Sequence, residues 1–535
     1  MSALLHERVA ATARRHPDRT AIVWNGERLS YGAMQASANR LAHALRAAGC
    51  RDGDRVALLL PKSADAIVAM LGCLGARCLY VPVDVQNPAP RAARIIDACR
   101  PRVILACAAS APRLGEILAA SPAAQAATLG WLGAETPHGA AFAFGPDDVA
   151  AQPDAPPALP GDPEPRAHIL FTSGSTGQPK GVVIRHASVA AFVDWALGQF
   201  GIGAGDRLSG HAPLHFDLST FDIYGAFTAG AELHPVPAEL GVLPAKLAAF
   251  IRERGLTQWF SVPSVLNYMA RLDAVPEGGF PDLRRVLWCG EVLPTPALIH
   301  WMKRLPHVRF TNLYGPTEAT IASSHHTVPA CPEDPAAPIP IGRPCGGERL
   351  YVLDDTGAPA EPGAIGHLFI AGDGLAEGYW EDPEKTAAAF VPEVGRSDGS
   401  RMYRTGDLAR LGEDGLVHFV GRADTQVKSR GYRIELGEIE AALGTVEELK
   451  EHAVVAVDQG GFEGATICCA YALKDGAVLP PPELRARLAA RLPSYMLPTR
   501  WAVLDLLPKN GNGKIDRRHL SDAVFAPSRT AGHAG

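Results

Sequence analysis

Residues 171–181 read FTSGSTGQPKG: three glycines, four hydroxyl side chains and one lysine in eleven positions. Backbone N–H groups and hydroxyls of such a loop can converge on phosphate oxygens, and glycine lets the chain approach closely. The nucleotide-kinase loop needs Ser or Thr directly after its lysine. Here Gln178 and Pro179 separate Gly177 from Lys180, and Gly181 follows, so that motif is absent, as is a GxGxxG fingerprint. Taken alone, such a stretch is more often a solvated turn. Other residues with chemistry to offer are Glu318 in NLYGPTEAT, Asp407 in YRTGDL, Lys514 in GNGKIDR and Asp217 in HFDLSTFDIYG. His211 and His215 have metal-ligand spacing, but no further His or Cys lies nearby to complete a site.

The elements that must carry these residues follow from hydrophobic periodicity. Between residues 34 and 107, near-continuous apolar runs (RVALLL, CLYVPVD, RVILAC) alternate with helical patterns such as MQASANRLAHALRAAG. That alternation predicts a parallel sheet covered on both faces. A Pro/Ala-rich stretch at about 150–165 reads as a surface linker, and the strand AHILF after it leads into the glycine-rich loop. From about 339 to 420 short strands separated by Gly and Pro turns predict a β subdomain. The chain thus divides into a large N-terminal core, 1–420, and a small α+β domain, 421–524. The polar tail, 525–535, is expected to be disordered.

Composition narrows the class. The chain has 535 residues, 47% hydrophobic and 20% charged, with a net charge of −6. That balance disfavours a nucleic-acid binder that works by neutralising phosphates. The longest apolar stretch, 66–76, is too short to span a bilayer, and the first residues lack the apolar core of a signal peptide. The ten cysteines form no CxxC pair, which favours reduced thiols. A cytoplasmic protein with no membrane partner is the expectation.

Seven motifs follow in order: FTSGSTGQPKGVV, NLYGPTEAT, GDGLAEGYW, YRTGDL, GRADTQVKSRGYRIELGEIE, LPSYMLP and GNGKIDR. Together, over residues 5–520, they resemble the adenylate-forming superfamily of peptide adenylation domains, acyl- and aryl-CoA synthetases and luciferases. QVKSRGYRIELGEIE and NGNGKIDR look most like the amino-acid-activating branch. The resemblance implies ATP and Mg²⁺, and a carboxylate that displaces pyrophosphate before a thiol takes the acyl group. It implies that Thr172, Ser173, Gly174, Ser175, Thr176, Gly177 and Lys180 bind the leaving phosphates. Thr317 and Glu318 would meet the α-phosphate and the metal. Gly290, Glu291, Asn312, Tyr314 and Gly315 would line the adenine site, with Asp407 and Arg422 on the ribose. Lys514 would be the catalytic cation, Asp424 the hinge of the small domain, and Lys428 and Gly431 part of the face presented in the thiol-transfer step.

For the substrate, the resemblance puts Asp217 against an α-ammonium, although capping of the helix that follows is the competing role. Leu218, Phe221, Ser261, Leu287, Cys289, Leu313, Ile321 and Ala322 would line the pocket. Leu287 and Cys289 alternate in RVLWCG and should share one strand face. This apolar lining implies a small or medium, uncharged amino acid. With no carrier module in the sequence, the expected acceptor is the phosphopantetheine thiol of a separate carrier protein. An acyl- or aryl-CoA ligase using free coenzyme A, and a non-catalytic nucleotide-binding scaffold, remain as alternatives.

Overall fold

The computed structural model describes residues 4–133, 141–174, 177–458, 465–510 and 514–526. It divides into two compact units, the first comprising Met1–Val85, Ala92–Thr172 and Lys180–Ala423, and the second Gln86–Arg91, Ser173–Pro179 and Asp424–Gly535.

The first unit holds two large sheets. In the seven-stranded sheet, Arg55–Leu59, Leu79–Pro82, Val103–Ala106 and Thr128–Trp131 run parallel, as their unbroken apolar runs require. The strand Arg166–Thr172 continues that parallel set. Lys180–Arg185 runs back antiparallel to it, with Thr172 opposite Lys180 at the hairpin base. The nine-stranded sheet contains Arg207–Gly210, Gln258–Ser261, Arg285–Trp288 and Arg309–Tyr314, again parallel. Its antiparallel margins are Glu27–Ser30 at one edge, and Ser324–Thr327 and Arg343–Pro344 at the other.

Two helices are buried along nearly their whole length, Ala64–Gly75 and Leu218–Ala229. A helix apolar all round belongs between two covered layers. Leu218–Ala229 touches both sheets. Its Tyr224 hydroxyl donates to the Tyr80 hydroxyl of the seven-stranded sheet at 3.2 Å. Its Phe221 ring lies 5.7 Å, edge to face, from Phe260 of the nine-stranded sheet. One core therefore includes Val56 and Leu58 from the first sheet together with Leu208, Phe260 and Leu287 from the second.

A five-stranded antiparallel sheet follows, built from Glu348–Leu353, Gly366–Gly372, Phe390–Pro392, Arg401–Leu411 and Val417–Arg422. The β subdomain is not self-contained over 339–420, however. Arg343–Pro344 joins the nine-stranded sheet, and Gly378–Tyr379 pairs with Lys180–Arg185. Both segments are two residues long, too short for a periodic pattern to reveal their partner.

In the second unit, the hairpin Gln426–Ser429/Tyr432–Glu435 precedes the helix Leu436–Leu443 and a three-stranded sheet of Leu449–Asp458, Ala465–Leu473 and Arg500–Val503. The hairpin turn has Arg430 at φ 53° and Gly431 at φ 81°. Two consecutive positive-φ residues are what a two-residue turn of the hairpin-favoured hand requires. Gly421–Ala423 stay with the first unit, because the strand Val417–Arg422 pairs there. The expectation of a tail without structure from residue 525 does not hold for Phe525. That residue is buried, its carbonyl accepts from Arg500 Nη1 at 2.7 Å, and the guanidinium lies over its ring. Residues 527–535 lie outside the described part.

Candidate active site

In the first unit Thr172, Leu287, Cys289, Asn312 and Tyr314 lie at or just past the C-terminal ends of parallel strands, where open α/β sheets place ligand sites, whereas Asp407 and Arg422 come from the antiparallel sheet. Arg309–Tyr314 delivers Asn312, Leu313 and Tyr314, and then turns sharply through Gly315 and the single helical turn Thr317–Ala319. A side chain at Gly315 would put its Cβ 2.6 Å from Ala322 Cα. The returning chain comes that close because Ser323 N donates to Tyr314 O at 2.7 Å. Between them Thr320 and Ile321 sit at φ 51° and 72°, unusual for β-branched residues and a local strain.

Glu318 is fully buried, and its Oε1 accepts from the Tyr379 hydroxyl at 2.9 Å. The Tyr379 ring in turn carries the Lys180 ammonium over its face, 5.3 Å from the centroid. The base of the glycine-rich hairpin is thus linked to Glu318 through one tyrosine. That tyrosine was visible within the GDGLAEGYW motif, but nothing in its spacing assigned it a role. Thr172 and Lys180 face each other at the hairpin base, and Gly177 N donates to Gly174 O at 3.0 Å within the loop that begins at Ser173. Ser175 and Thr176 lie outside the described residues.

Asp407 and Arg422 are direct cross-strand partners. Asp407 Oδ1 accepts from Arg422 Nη1 at 2.7 Å, and Oδ2 accepts a short bond from the Tyr314 hydroxyl. The Asp407 backbone N–H is fixed by Thr405 Oγ1 at 3.0 Å. Burial, reinforced by the adjacent Asp407 charge, pushes the Tyr314 phenol well above its ordinary pKa, so it remains a donor. Asn312 Nδ2 donates to Pro340 O at 2.8 Å, and Glu291 Oε2 accepts from Ser264 N at 3.2 Å. Gly290, at φ 104°, brings the chain past Val262.

Leu218, Phe221, Leu287, Cys289, Leu313, Ile321 and Ala322 belong to one buried cluster. The Cys289 thiol points to Ile321 O at 3.8 Å. Leu287 and Cys289 share the face of that cluster, while Val286 and Trp288 pack into a second core on the other side. Asp217, 8% exposed, stands at the head of Leu218–Ala229 and makes no side-chain capping bond to it. The helix-cap role is therefore not realised.

Ser261 is the member set apart. In the parallel register it pairs with Trp288, so it faces the second core, and its Oγ accepts from Trp259 Nε1 at 2.9 Å. The next residue, Val262, packs against the shared cluster instead. The strand ends at Ser261, and a period-2 reading does not extend across that end. His211 and His215 also part company: the first packs 5.2 Å from the Trp259 ring, and the second approaches Asp84 at 3.8 Å. No cluster of three His, Cys, Asp or Glu side chains suited to a metal occurs among the described residues.

In the second unit, Asp424 Oδ1 accepts from Gln426 N at 3.1 Å. Lys428 stands opposite Arg433 in the hairpin whose turn holds Gly431. Lys514 is exposed. Its backbone N–H donates to Asn510 Oδ1 at 3.1 Å and its carbonyl accepts from Asn510 N at 2.8 Å, which closes the turn.

Paired α/β sheets, a glycine-rich hairpin and a buried acid–tyrosine–arginine set are the features of a nucleotide site, and sequence comparison gives the family: the chain belongs to the AMP-binding enzymes. That family's profile matches residues 9–380, and the profile of the AMP-binding enzyme C-terminal domain matches 438–514. Enzymes of this family use ATP. Among individual relatives, an L-proline–(L-prolyl-carrier protein) ligase of Streptomyces coelicolor is 38% identical over 98% of this chain and 97% of its own length. Phosphinothricin tripeptide synthetase PhsB of Streptomyces viridochromogenes is 36% identical over 98% of this chain, which spans only 42% of PhsB. The solved Vibrio cholerae adenylation domain AlmE, in complex with glycyl-adenosine-5'-phosphate, superposes with a TM-score of 0.83 at 25% identity, over 98% of both chains. Among the described residues no helix is long and apolar enough to cross a membrane.

Proposed function

We propose that this protein adenylates the carboxylate of a small or medium, uncharged amino acid and passes the aminoacyl group to the phosphopantetheine thiol of a separate carrier protein. The observation that carries this reading is Asp217, a nearly buried carboxylate bordered by the apolar side chains of Leu218 and Phe221. A carboxylate at this position can hold an α-ammonium through a charge-assisted hydrogen bond. The carrier acceptor draws on the named activity of the Streptomyces coelicolor ligase, which matches this chain along nearly its full length.

In the first step a substrate carboxylate oxygen attacks the α-phosphorus of ATP, and the bond to the β-phosphate breaks to release pyrophosphate. Lys514 supplies positive charge as these anions approach. The hairpin from Thr172 to Lys180 holds the departing phosphates, and Asp407 accepts the ribose hydroxyls through lone pairs left by Tyr314 and Arg422. A magnesium ion carried by nucleotide phosphates needs few protein oxygens, and the Glu318 carboxylate oriented by Tyr379 fits that need, with Thr317 beside it. When bound, the ion would neutralise phosphate charge. In the second step the thiol sulfur attacks the acyl carbon and AMP leaves; Asp424 is the hinge, and Lys428 and Gly431 lie on the face used for this half-reaction.

The test is pyrophosphate exchange with a panel of amino acids in both configurations and several aryl acids. Exchange with one or a few uncharged amino acids is expected. Exchange only with acids lacking an amine would replace this reading with a CoA-type ligase. Lys514→Ala should slow exchange about a hundredfold or more, and wild-type rates in that variant would exclude its catalytic role.

A further inference from the structure

Lys62 lies between the strand Arg55–Leu59 of the seven-stranded sheet and the buried helix Ala64–Gly75, which Ser63 caps through Ala66 N at 3.1 Å. Its ammonium reaches across to the nine-stranded sheet. There it donates to Gly210 O at 3.0 Å and His211 O at 2.7 Å, at the end of the strand Arg207–Gly210. Asp222 is fully buried in the neighbouring helix Leu218–Ala229. Burial pushes its carboxyl well above the usual carboxylate range, against the Lys62 charge and the backbone amides of Ala212 and His211, and neither oxygen closes a hydrogen bond of good geometry. Desolvation lowers Lys62 to about 8, while Asp222 and Glu239 pull it back up. His211 is kept neutral by burial and by Lys62, with its ring against Trp259.

These groups meet at the near end of residues 211–217, the segment that ends in Asp217. Its far end is fixed separately, by Ser219 Oγ donating to Phe216 O at 2.7 Å and by Thr220 N donating to Asp217 O at 2.9 Å. A buried ammonium is an expensive way to gain stability, since well-packed apolar residues generally do as well. What it supplies here is a fixed place for two carbonyls at the root of the substrate segment.

The geometry points to Lys62 and Asp222 as positioning residues that clamp the Asp217 segment between the two sheets and thereby set recognition of the substrate's α-ammonium. This rests on the amino-acid reading above. Neither side chain touches the substrate, so the effect reads out as amino-acid KM rather than ATP KM.

The experiment compares Lys62→Met, Lys62→Arg, Asp222→Asn and the double variant Lys62→Met/Asp222→Leu by pyrophosphate exchange and thermal melting. Lys62→Met is expected to raise amino-acid KM about tenfold or more, with ATP KM within about twofold of wild type; Lys62→Arg should recover most of the loss. Asp222→Asn should move amino-acid KM in the same direction. Should Lys62→Met, which leaves buried Asp222 without its cationic neighbour, fail to fold, the double variant, which removes both ionisable side chains, is expected to melt near wild type while keeping the raised amino-acid KM. A double variant that regains both Tm and KM would overturn the proposal and leave the two side chains a purely structural role. So would folded single variants whose two KM values stay unchanged or shift together. Failure of the underlying reading is seen in the wild type alone, as exchange supported only by acids without an amine.

Discussion

Asp407 spends one oxygen on Tyr314 and one on Arg422. Each oxygen keeps a second lone pair, so the pair of donors orients the carboxylate without exhausting it. Asp407→Asn replaces one acceptor by a donor facing Tyr314 or Arg422. The loss of charge-assisted bonds, about 1.5–3 kcal/mol, corresponds to a rise of roughly ten- to a hundredfold in ATP KM. Initial-rate exchange with amino acid saturating measures it, and an ATP KM within twofold of wild type would remove Asp407 from the nucleotide site. Tyr314→Phe should act in the same direction but more weakly, since Arg422 remains. The order of the motifs put Asp407 and Arg422 together on the ribose, but it assigned Tyr314 to the adenine, and the Tyr314 bond to Asp407 was not legible there. Nor was the role of Tyr379, since its bond to Glu318 depends on a two-residue strand that pairs far away in sequence.

The element that most tightly couples backbone to site is the turn from Tyr314 to Ser324. Gly315 is hemmed in by backbone atoms, Ala322 Cα and Ser323 N, rather than by flexible side chains that could yield. Gly315→Ala should therefore displace the Thr317–Glu318 turn and cost about 1–3 kcal/mol. Melting should fall by several degrees, and exchange should drop further than stability alone explains at a temperature where the variant is folded. An unchanged Tm and rate would mean the turn relaxes freely. The parallel strands and the buried helix at 66–76 were readable from apolar runs, because burial on both faces leaves no alternation to misread. Ser261 shows the limit of such readings. Alternation assigns Leu287 and Cys289 correctly, yet Ser261 turns to the Trp259 side and its neighbour Val262 joins the shared cluster, because the strand ends between them. Phe525 was hidden for another reason: a single aromatic in a polar tail gives no period, and only Arg500 and the neighbouring core show that it is packed.

At the scale of the whole molecule, ionisable groups buried in the first unit set opposing responses to pH. Burial lowers His6 to about 4, and His168, His186 and His211 to about 3. The unfolded chain takes up these protons near pH 6.5 and the folded one does not, so their contribution is present above that pH and is lost as pH falls towards 4 and below. At pH 5 each histidine would account for up to about 2 kcal/mol. Glu348 behaves oppositely. Burial raises it to about 7, against the Gly374 N–H that its Oε1 accepts at 2.7 Å. Its contribution is present below the ordinary carboxylate pKa near 4.5 and lost as pH rises through 7, because the charged form is disfavoured where it sits. Calorimetry of the two-unit chain should resolve more than one transition. The transition of the first unit should fall steeply between pH 6.5 and 5. Glu348→Gln should raise that transition above pH 7 by the equivalent of up to about 3 kcal/mol, with the gain fading towards pH 4.5. His168→Phe, which keeps a ring against Tyr80, should flatten the acid limb. A first-unit Tm constant from pH 7.5 to 5, or a Glu348→Gln gain that grows on acidification, would show that these groups reach solvent in the native state.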